Sequence, residues 1–255
     1  MLPLAFAPRH ALAVAMFLAM VGLTGCSTPA VTALAPPTLT QGTDEAGQLA
    51  ERFATLQRAN PQAQLFKLDA EASNLTVHVF RAGRAAALGH NHVLQAPALQ
   101  GWALVTPAAL GQTQMELLFR LDELQLDAPA QRARLGPGWA SELSPAAVAA
   151  TRSNMLGAAG LQADQYPWVR LRAVKLVGEL PKLAVQVEIE LHGQSRSQWL
   201  ALEAKLDDQR LSARGALVLR QSDFGLTPFS VGAGLLAVAD ELLVEFELVA
   251  RPQAR

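Results

Sequence analysis

The stretch Leu183–Leu191, LAVQVEIEL, alternates apolar residues with mostly polar ones. Successive side chains of a β-strand point to opposite faces, so this period of two predicts a strand with one buried and one solvent-facing side. Residues 242–248 repeat the pattern with glutamates on the polar side. Between residues 115 and 126 the apolar positions change phase near Asp122, which indicates a β-bulge. The decisive pattern of this chain is therefore that of a bent antiparallel sheet.

Further segments with strand character follow along most of the chain. They cover residues 64–69, 74–82, 98–106, 167–177, 197–206 and 210–220, with turn-forming residues at 178–181, 192–193 and 207–208. Eight or nine antiparallel strands in one chain predict a sandwich or a closed barrel. One helix interrupts them, because Ser144 suits an N-cap, Pro145 suits the first helical position, and residues 146–156 contain few helix breakers.

The first 25 residues have the order of a bacterial export signal. Arg9 precedes the apolar run Ala11–Leu23, which is too short to span a bilayer. The tetrapeptide Leu23-Thr24-Gly25-Cys26 resembles a lipobox, so we expect cleavage before Cys26 and lipidation of its thiol. Ser27, rather than an aspartate, follows the cysteine and favours the outer membrane by analogy with enterobacterial sorting. These features predict a periplasm-facing lipoprotein of the cell envelope.

The rest of the chain divides into three parts. Residues 26–42 are rich in Pro, Thr and Ala and carry no charge, which predicts an extended, mobile tether. Residues 43–62 favour a helix, with Asp44 and Glu45 at its positive end and Asn60-Pro61 as its stop. Residues 63–255 form the expected β domain.

Charge and cysteine content narrow the function classes. Removing the signal takes away Arg9 and no acidic residue, so the formal net charge changes from −1 to −2. Such a chain offers no positive field for a phosphate backbone, and we predict no nucleic-acid partner. Cys26 is the only cysteine, so no disulfide is predicted within the chain. No serine lies in a recognisable nucleophile and base setting, and we predict no enzyme activity.

Several motifs of the second half resemble the YceI-like family of periplasmic proteins. Leu191–Arg196 (LHGQSR) resembles a family hairpin, and Leu219–Leu226 (LRQSDFGL) resembles the end of a family strand. Tyr166-Pro167 with Val169 resembles a third motif, with Leu171 where phenylalanine is usual. Gly101-Trp102 resembles a glycine-aromatic pair of the first half. Arg152 corresponds to an arginine that is followed by aspartate in the family, and this chain has Ser153 there.

The resemblance implies a mainly β fold, an eight-stranded antiparallel lipocalin-like barrel with one or two short helices. It also implies an apolar lumen that holds an isoprenoid or quinone-type amphiphile. A barrel of eight strands has room for one slim ligand, and apolar inward positions favour the burial of a lipid tail. Trp102, Arg152, Arg220 and Phe224 lie in the matching motifs and become candidate ligand contacts. Arg220 and Asp223 can alternatively fix the turn that follows their strand.

Two histidines stand out in the segment ALGHNHV, residues 87–93. On a strand, His90 and His92 would project to the same side about 7 Å apart and could share a metal ion if a third ligand approached. The alternative is that they line the rim of the barrel and hydrogen-bond backbone groups or the head of a ligand. We take both histidines as candidate ligand contacts and, as the second interpretation, as candidate metal ligands.

Three functional hypotheses follow. The first is an envelope lipoprotein whose barrel binds or carries an isoprenoid or quinone-type lipid. The second is a metal- or haem-binding accessory protein that uses His90 and His92. The third is a barrel that serves only as a protein interaction module. They predict, respectively, an apolar lumen, a third metal ligand near the histidines, and a plugged lumen with an exposed apolar patch.

Overall fold

The computed structural model describes residues 44–254. The predicted signal, the lipidation site Cys26 and the predicted tether lie outside these residues. The described chain has three α-helices: α1 Glu45–Ala59, α2 Pro129–Arg134 and α3 Pro145–Leu156. Its strands are β1 Gln64–Leu68, β2 Asn74–Ala82, β3 His92–Gln95, β4 Gln100–Val105, β5 Gln114–Arg120, β6 Gln125–Leu126, β7 Trp168–Glu179, β8 Lys182–Leu191, β9 Gln194–Asp207, β10 Arg210–Arg220, β11 Ser230–Val231 and β12 Leu236–Pro252. Short 3₁₀ segments cover Ala86–Leu88, Pro107–Gln112 and Ser222–Phe224.

Eight strands close into a barrel. The ring runs β1-β4-β5-β7-β8-β9-β10-β12, and β12 returns to β1 through the pairs Phe66↔Pro252 and Leu68↔Ala250. Every neighbouring pair in this ring is antiparallel. The predicted eight-stranded antiparallel barrel is therefore confirmed, and the alternative of an open sandwich is excluded.

Three positions of the ring are occupied by strands that break and resume. β12 pairs with β1 through Ala250–Pro252 and, farther along the same edge, with β2 through Ala237–Glu247. In the same way, β4 and β3 share the next position of the ring, and β5 and β6 share the one after it. Strands β1-β4-β5 pair in that order towards one end of the barrel, and β2-β3-β6 pair in the corresponding order towards the other. The breaks at residues 69–73, 96–99 and 121–124 lie side by side. We call strands β1–β6 the interrupted half of the barrel, and β7–β10 with β12 the continuous half.

The interrupted half contains the main corrections to the sequence predictions. The change of phase near Asp122 is a strand break, not a bulge, because β5 pairs with β4 and β7 whereas β6 pairs with β3. Leu121 and Leu124, inside this break, turn inward and are buried in the core. The short strand β3 and the helix α2 have no clear period in the sequence and were missed. β12 is also longer than the predicted strand at 242–248, with 17 residues.

Both longer helices begin at the predicted caps. The Asp44 side chain accepts a hydrogen bond from the N–H of Gly47, and the Ser144 side chain accepts one from the N–H of Ala147. α1 lies in the segment 43–62 where the sequence predicts a helix, and it packs against the outer face of β1 and β4 through Leu49 and Phe53. None of the helices in residues 44–254 is long and apolar enough to cross a membrane.

Candidate ligand-binding site

The lumen of the barrel contains two adjoining cavities, of about 250 Å³ and 110 Å³. The larger one lies towards the end of the barrel where β2 and β10 finish and where β3 and β12 begin; we call this the upper end. The two cavities share four lining residues, Leu75, Leu171, Leu217 and Val244. The two cavities therefore lie one beyond the other in the lumen and adjoin at these four aliphatic side chains.

Strand β12 shows how long and how apolar the lumen is. Leu242 and Val244 line the upper cavity, and Val244, Phe246 and Leu248 line the lower one. At about 3.3 Å per strand residue, positions 242 to 248 span about 20 Å. The outward residues Glu245 and Glu247 alternate with them, as the period of two requires. The lumen has the length and the chemistry for an extended hydrocarbon chain.

Polar side chains enter the upper cavity at its outer end. They come from β3, α3, the end of β10 and the loop after it: His92, Thr151, Asn154, Gln221 and Thr227. The amide of Gln221 donates to the carbonyl of Ala239 at 2.7 Å, so this side chain is held by the backbone of β12. Gly225, with φ +71°, ends the 3₁₀ turn Ser222–Phe224 in the left-handed region, and the chain can then return Leu226 and Thr227 towards the lumen.

His92 is joined to a buried carboxylate. Its Nδ1 lies 2.6 Å from Oδ2 of Asp127, whose side chain has no solvent exposure, whereas the His92 side chain is 17% exposed. Oδ1 of Asp127 accepts from the N–H of Val93 at 3.0 Å and from Arg132 at 2.7 Å. Burial opposes ionisation of Asp127, but the hydrogen bonds from His92 and Val93 outweigh it and lower the pKa of this carboxyl below its ordinary value. Asp127 is thus an ionised acceptor.

The network continues away from the lumen. Arg132, on α2, is buried and donates to the carbonyl of Asn91 at 2.7 Å and to the hydroxyl of Ser141 at 3.0 Å. The same hydroxyl lies 3.0 Å from Nδ1 of His90, which is exposed. Asp127 has φ +53°, a left-handed conformation that is uncommon outside glycine. The surrounding contacts therefore fix both the position and the backbone of this aspartate.

Comparison with known proteins identifies the fold family. The family model described as the YceI-like domain matches residues 105–250, more than half of the chain. The chain belongs to the YceI-like family. YceI-like barrels bind small hydrophobic ligands, and members of the family are periplasmic. No curated protein matches the chain.

One solved structure agrees with the family at the level of the fold. The crystal structure of Burkholderia cenocepacia BcnA is 14% identical, with a TM-score of 0.51 over 71% of this chain and 98% of that one. The Campylobacter jejuni YceI protein is 11% identical, with a TM-score of 0.45 over 64% of this chain and 85% of that one. At 14% identity, the BcnA structure supports only the architecture of this YceI-like chain.

Of the candidate ligand contacts named from the sequence, the structure brings His92 to the upper cavity and places the others elsewhere. Trp102 lies on the outer face, packed against the cluster beneath α1, with Lys67 Nζ 5.7 Å from its ring. Arg220 is exposed, 3.6 Å from Glu241. Phe224 is buried in the main core and does not line the upper cavity. The positions of these three side chains do not support direct ligand contact.

Arg152 and His90 also differ from the expectation. Arg152, on α3, donates to the carbonyl of Leu124 at 2.6 Å and to that of Asp122, so it ties α3 to the break between β5 and β6. His90 precedes β3, and its Nδ1 contacts Ser141 while His92 contacts Asp127. In the part of the chain that the structure describes, no group of three or more His, Cys, Asp and Glu side chains is arranged to hold a metal ion. Metal binding by this pair stays a prediction.

Sequence reasoning missed Asp127 and Arg132. The local signal is weak, since an acidic residue at the end of a short strand, followed by an arginine five positions later, is common at protein surfaces. Only the pairing of β6 with β3 brings Asp127 against His92, 35 positions earlier in the chain. Thr151 and Asn154 were missed because the rotation of α3 relative to the lumen is set by packing.

Proposed function

We propose that this protein is an envelope lipoprotein whose barrel binds and carries an amphiphilic lipid of the isoprenoid or quinone type without transforming it. The observation that carries the proposal is the apolar lumen, which runs about 20 Å along β12 and receives polar side chains at its upper end. The tail of the lipid would lie in the lumen and its head beside His92. The lipobox-like sequence at Cys26 supports attachment of the barrel to a membrane.

The energetics favour a tail of this kind. Transfer of one methylene from water to an apolar site contributes about 0.8 kcal/mol. Ten such groups contribute about 8 kcal/mol, which is comparable with the roughly 4–15 kcal/mol lost in translational and rotational freedom on association. A longer isoprenoid would exceed that cost, and the few polar groups at the upper end would then determine its orientation.

The test uses the soluble chain, residues 27–255, exported by a signal without a lipobox and purified without detergent. Native mass spectrometry should show an added mass of several hundred daltons that is recovered as lipid on organic extraction. Leu219→Trp should lower the bound fraction at least tenfold, because Leu219 is 8% exposed and lines the upper cavity. Val218→Trp is the matched control, since Val218 is the next residue and is 56% exposed on the outer face.

Circular dichroism of both variants should match that of the parent chain. A loss of lipid binding then cannot be attributed to a loss of folding. A bare polypeptide mass for the parent chain, together with no uptake of added isoprenoid lipid, would contradict the proposal. Equal lipid retention by Leu219→Trp and Val218→Trp would show that the lipid is held outside the lumen.

A further inference from the structure

His92 lies between the lumen and the buried pair Asp127 and Arg132, and the two nitrogens of its ring have different environments. Nδ1 contacts the carboxylate of Asp127 at 2.6 Å. For Nε2 the structure gives no hydrogen-bond partner among the described residues, and the ring lines the upper cavity with part of its surface accessible. A ligand that fills the upper cavity would shield this nitrogen from water, and burial without a hydrogen bond is costly, so Nε2 marks the point where a polar ligand group would bind.

The state of Asp127 determines what kind of ligand group this is. Its carboxylate accepts hydrogen bonds from Val93 and Arg132 and is ionised, so its contact with His92 requires a proton on Nδ1. A neutral imidazole with its proton on Nδ1 has a lone pair on Nε2. In this neutral form of His92, Nε2 is an acceptor, and a donor such as a hydroxyl group would satisfy it.

The surrounding charges argue against an anionic head. No lysine or arginine side chain lines the upper cavity within residues 44–254. The guanidinium groups around the upper end are engaged elsewhere: Arg132 with Asp127 and Ser141, Arg152 and Arg81 with backbone carbonyls, and Arg220 with Glu241 on the outside. The other polar groups of the cavity, on Thr151, Asn154, Gln221 and Thr227, are neutral. A phosphate would be buried here without a partner of opposite charge.

We propose that the Asp127-His92 pair makes this site selective for a neutral lipid that carries a hydroxyl head, whether an isoprenoid alcohol or a hydroquinone, over its ether, quinone or phosphate counterpart. The inference rests on the proposed function and deepens it, because it names the head group that the barrel selects. In this arrangement His92 is a specificity-determining contact, Asp127 fixes its tautomer, and Arg132 with Val93 fixes Asp127.

The experiment compares ligands that share one tail. The soluble chain, residues 27–255, is freed of endogenous lipid and titrated calorimetrically with farnesol, farnesyl methyl ether and farnesyl phosphate. A short-tailed prenyl hydroquinone and its quinone are titrated in the same way under anaerobic conditions. We expect farnesol to bind about tenfold more tightly than its methyl ether, and the hydroquinone to exceed the quinone by a similar factor, which corresponds to one buried hydrogen bond. The tighter of the two hydroxyl ligands identifies the source of the head.

Two variants locate the effect. His92→Phe keeps a planar ring in the lumen wall but removes the acceptor, and the ratio between farnesol and its ether should fall to about one. His90→Phe is the matched control, because His90 is exposed and contacts Ser141 rather than the lumen, and it should keep the full ratio. The comparison of ligands on the parent chain needs no variant. It therefore tests the selectivity even if His92→Phe folds poorly.

The outcomes separate the two proposals. Equal binding of farnesol and its ether to the parent chain overturns the selectivity and leaves the lipid-binding proposal intact. Tighter binding of farnesyl phosphate overturns the selectivity in favour of an anionic head. Failure of all the farnesyl ligands and of both the hydroquinone and the quinone to bind overturns both proposals.

Discussion

The continuous and interrupted halves form the same barrel wall in different ways. In the continuous half, β7 to β10 are joined by two-residue turns, such as His192-Gly193 with both residues at positive φ, and inward residues are apolar. In the interrupted half the strands break. All four buried polar or charged residues of the described chain lie there or in the adjoining α2: His78, Glu116, Asp127 and Arg132. The continuous half supplies a regular apolar wall, and the interrupted half holds the buried polar network that contacts His92 at the upper cavity.

The largest expected effect compares two acidic residues, each in contact with two basic side chains. Asp127→Ala should lower the free energy of unfolding by about 3–5 kcal/mol, because it leaves Arg132 buried without its carboxylate. Glu203 on β9 contacts Lys182 and Arg214 at the surface of the continuous half, and Glu203→Ala should change stability little because water screens these charges. Urea unfolding of both variants measures the difference.

Asp127→Asn refines this test, since it keeps the size of the side chain and removes only its charge. It should be less destabilised than Asp127→Ala. Comparable losses of stability for Asp127→Ala and Glu203→Ala would show that ion pairs contribute equally to stability in the two halves of the barrel.

Acid should weaken the interrupted half first. Burial alone would raise the pKa of Asp127, but hydrogen bonds from His92 and Val93 outweigh it and lower the pKa. In the same way, hydrogen bonds from Arg52 and Arg170 outweigh burial and lower the pKa of Glu116. The unfolded chain therefore takes up protons at a higher pH than the folded one. The stability from these carboxylates is complete above their ordinary pKa values of 3.8 and 4.5 and is lost as the pH falls towards the folded values.

Hydrogen exchange at pH 7 and at pH values stepped down below 3.8, corrected for intrinsic rates, measures this effect strand by strand. Protection of β3 and β5 should fall before that of β8 and β9. Glu116→Gln should reduce the response to acid, whereas Glu203→Gln should change it little, because Glu203 is in contact with water although Lys182 and Arg214 lower its pKa to about 2. Uniform loss of protection would contradict a separate role for the interrupted half.

The same contrast explains what the sequence could predict. The alternation at 183–191 became β8, Lys182–Leu191, and the turn residues at 192–193 connect it to β9. These features are local, because a two-residue period and a pair of turn residues determine an antiparallel hairpin with little help from the rest of the chain. The family motifs also lie mostly in this half, so the eight-stranded barrel could be predicted.

The site depended on contacts that no local pattern encodes. The sequence singles out His92 as half of a histidine pair, yet in the structure its side chain contacts Asp127 rather than His90. Trp102 and Arg220 were chosen from motifs, and both side chains point to the outside, because a motif does not state which face of a strand meets the ligand. The breaks at 69–73, 96–99 and 121–124 exist because three strands change register together, which is a property of the closed barrel.

The smallest expected effect concerns Arg152, which connects α3 to the break between β5 and β6. Arg152→Ala removes its hydrogen bonds to the carbonyls of Leu124 and Asp122 and should cost about 1 kcal/mol of stability. Since α3 carries Thr151 and Asn154 of the upper cavity, the same change should speed the release of bound farnesol in stopped-flow measurements. Arg220→Ala, at the same end but in the continuous half, removes only an exposed ion pair and should change neither quantity measurably. Equal release rates for the two variants would mean that α3 does not control access to the upper cavity, although it contributes two of the polar residues that line it.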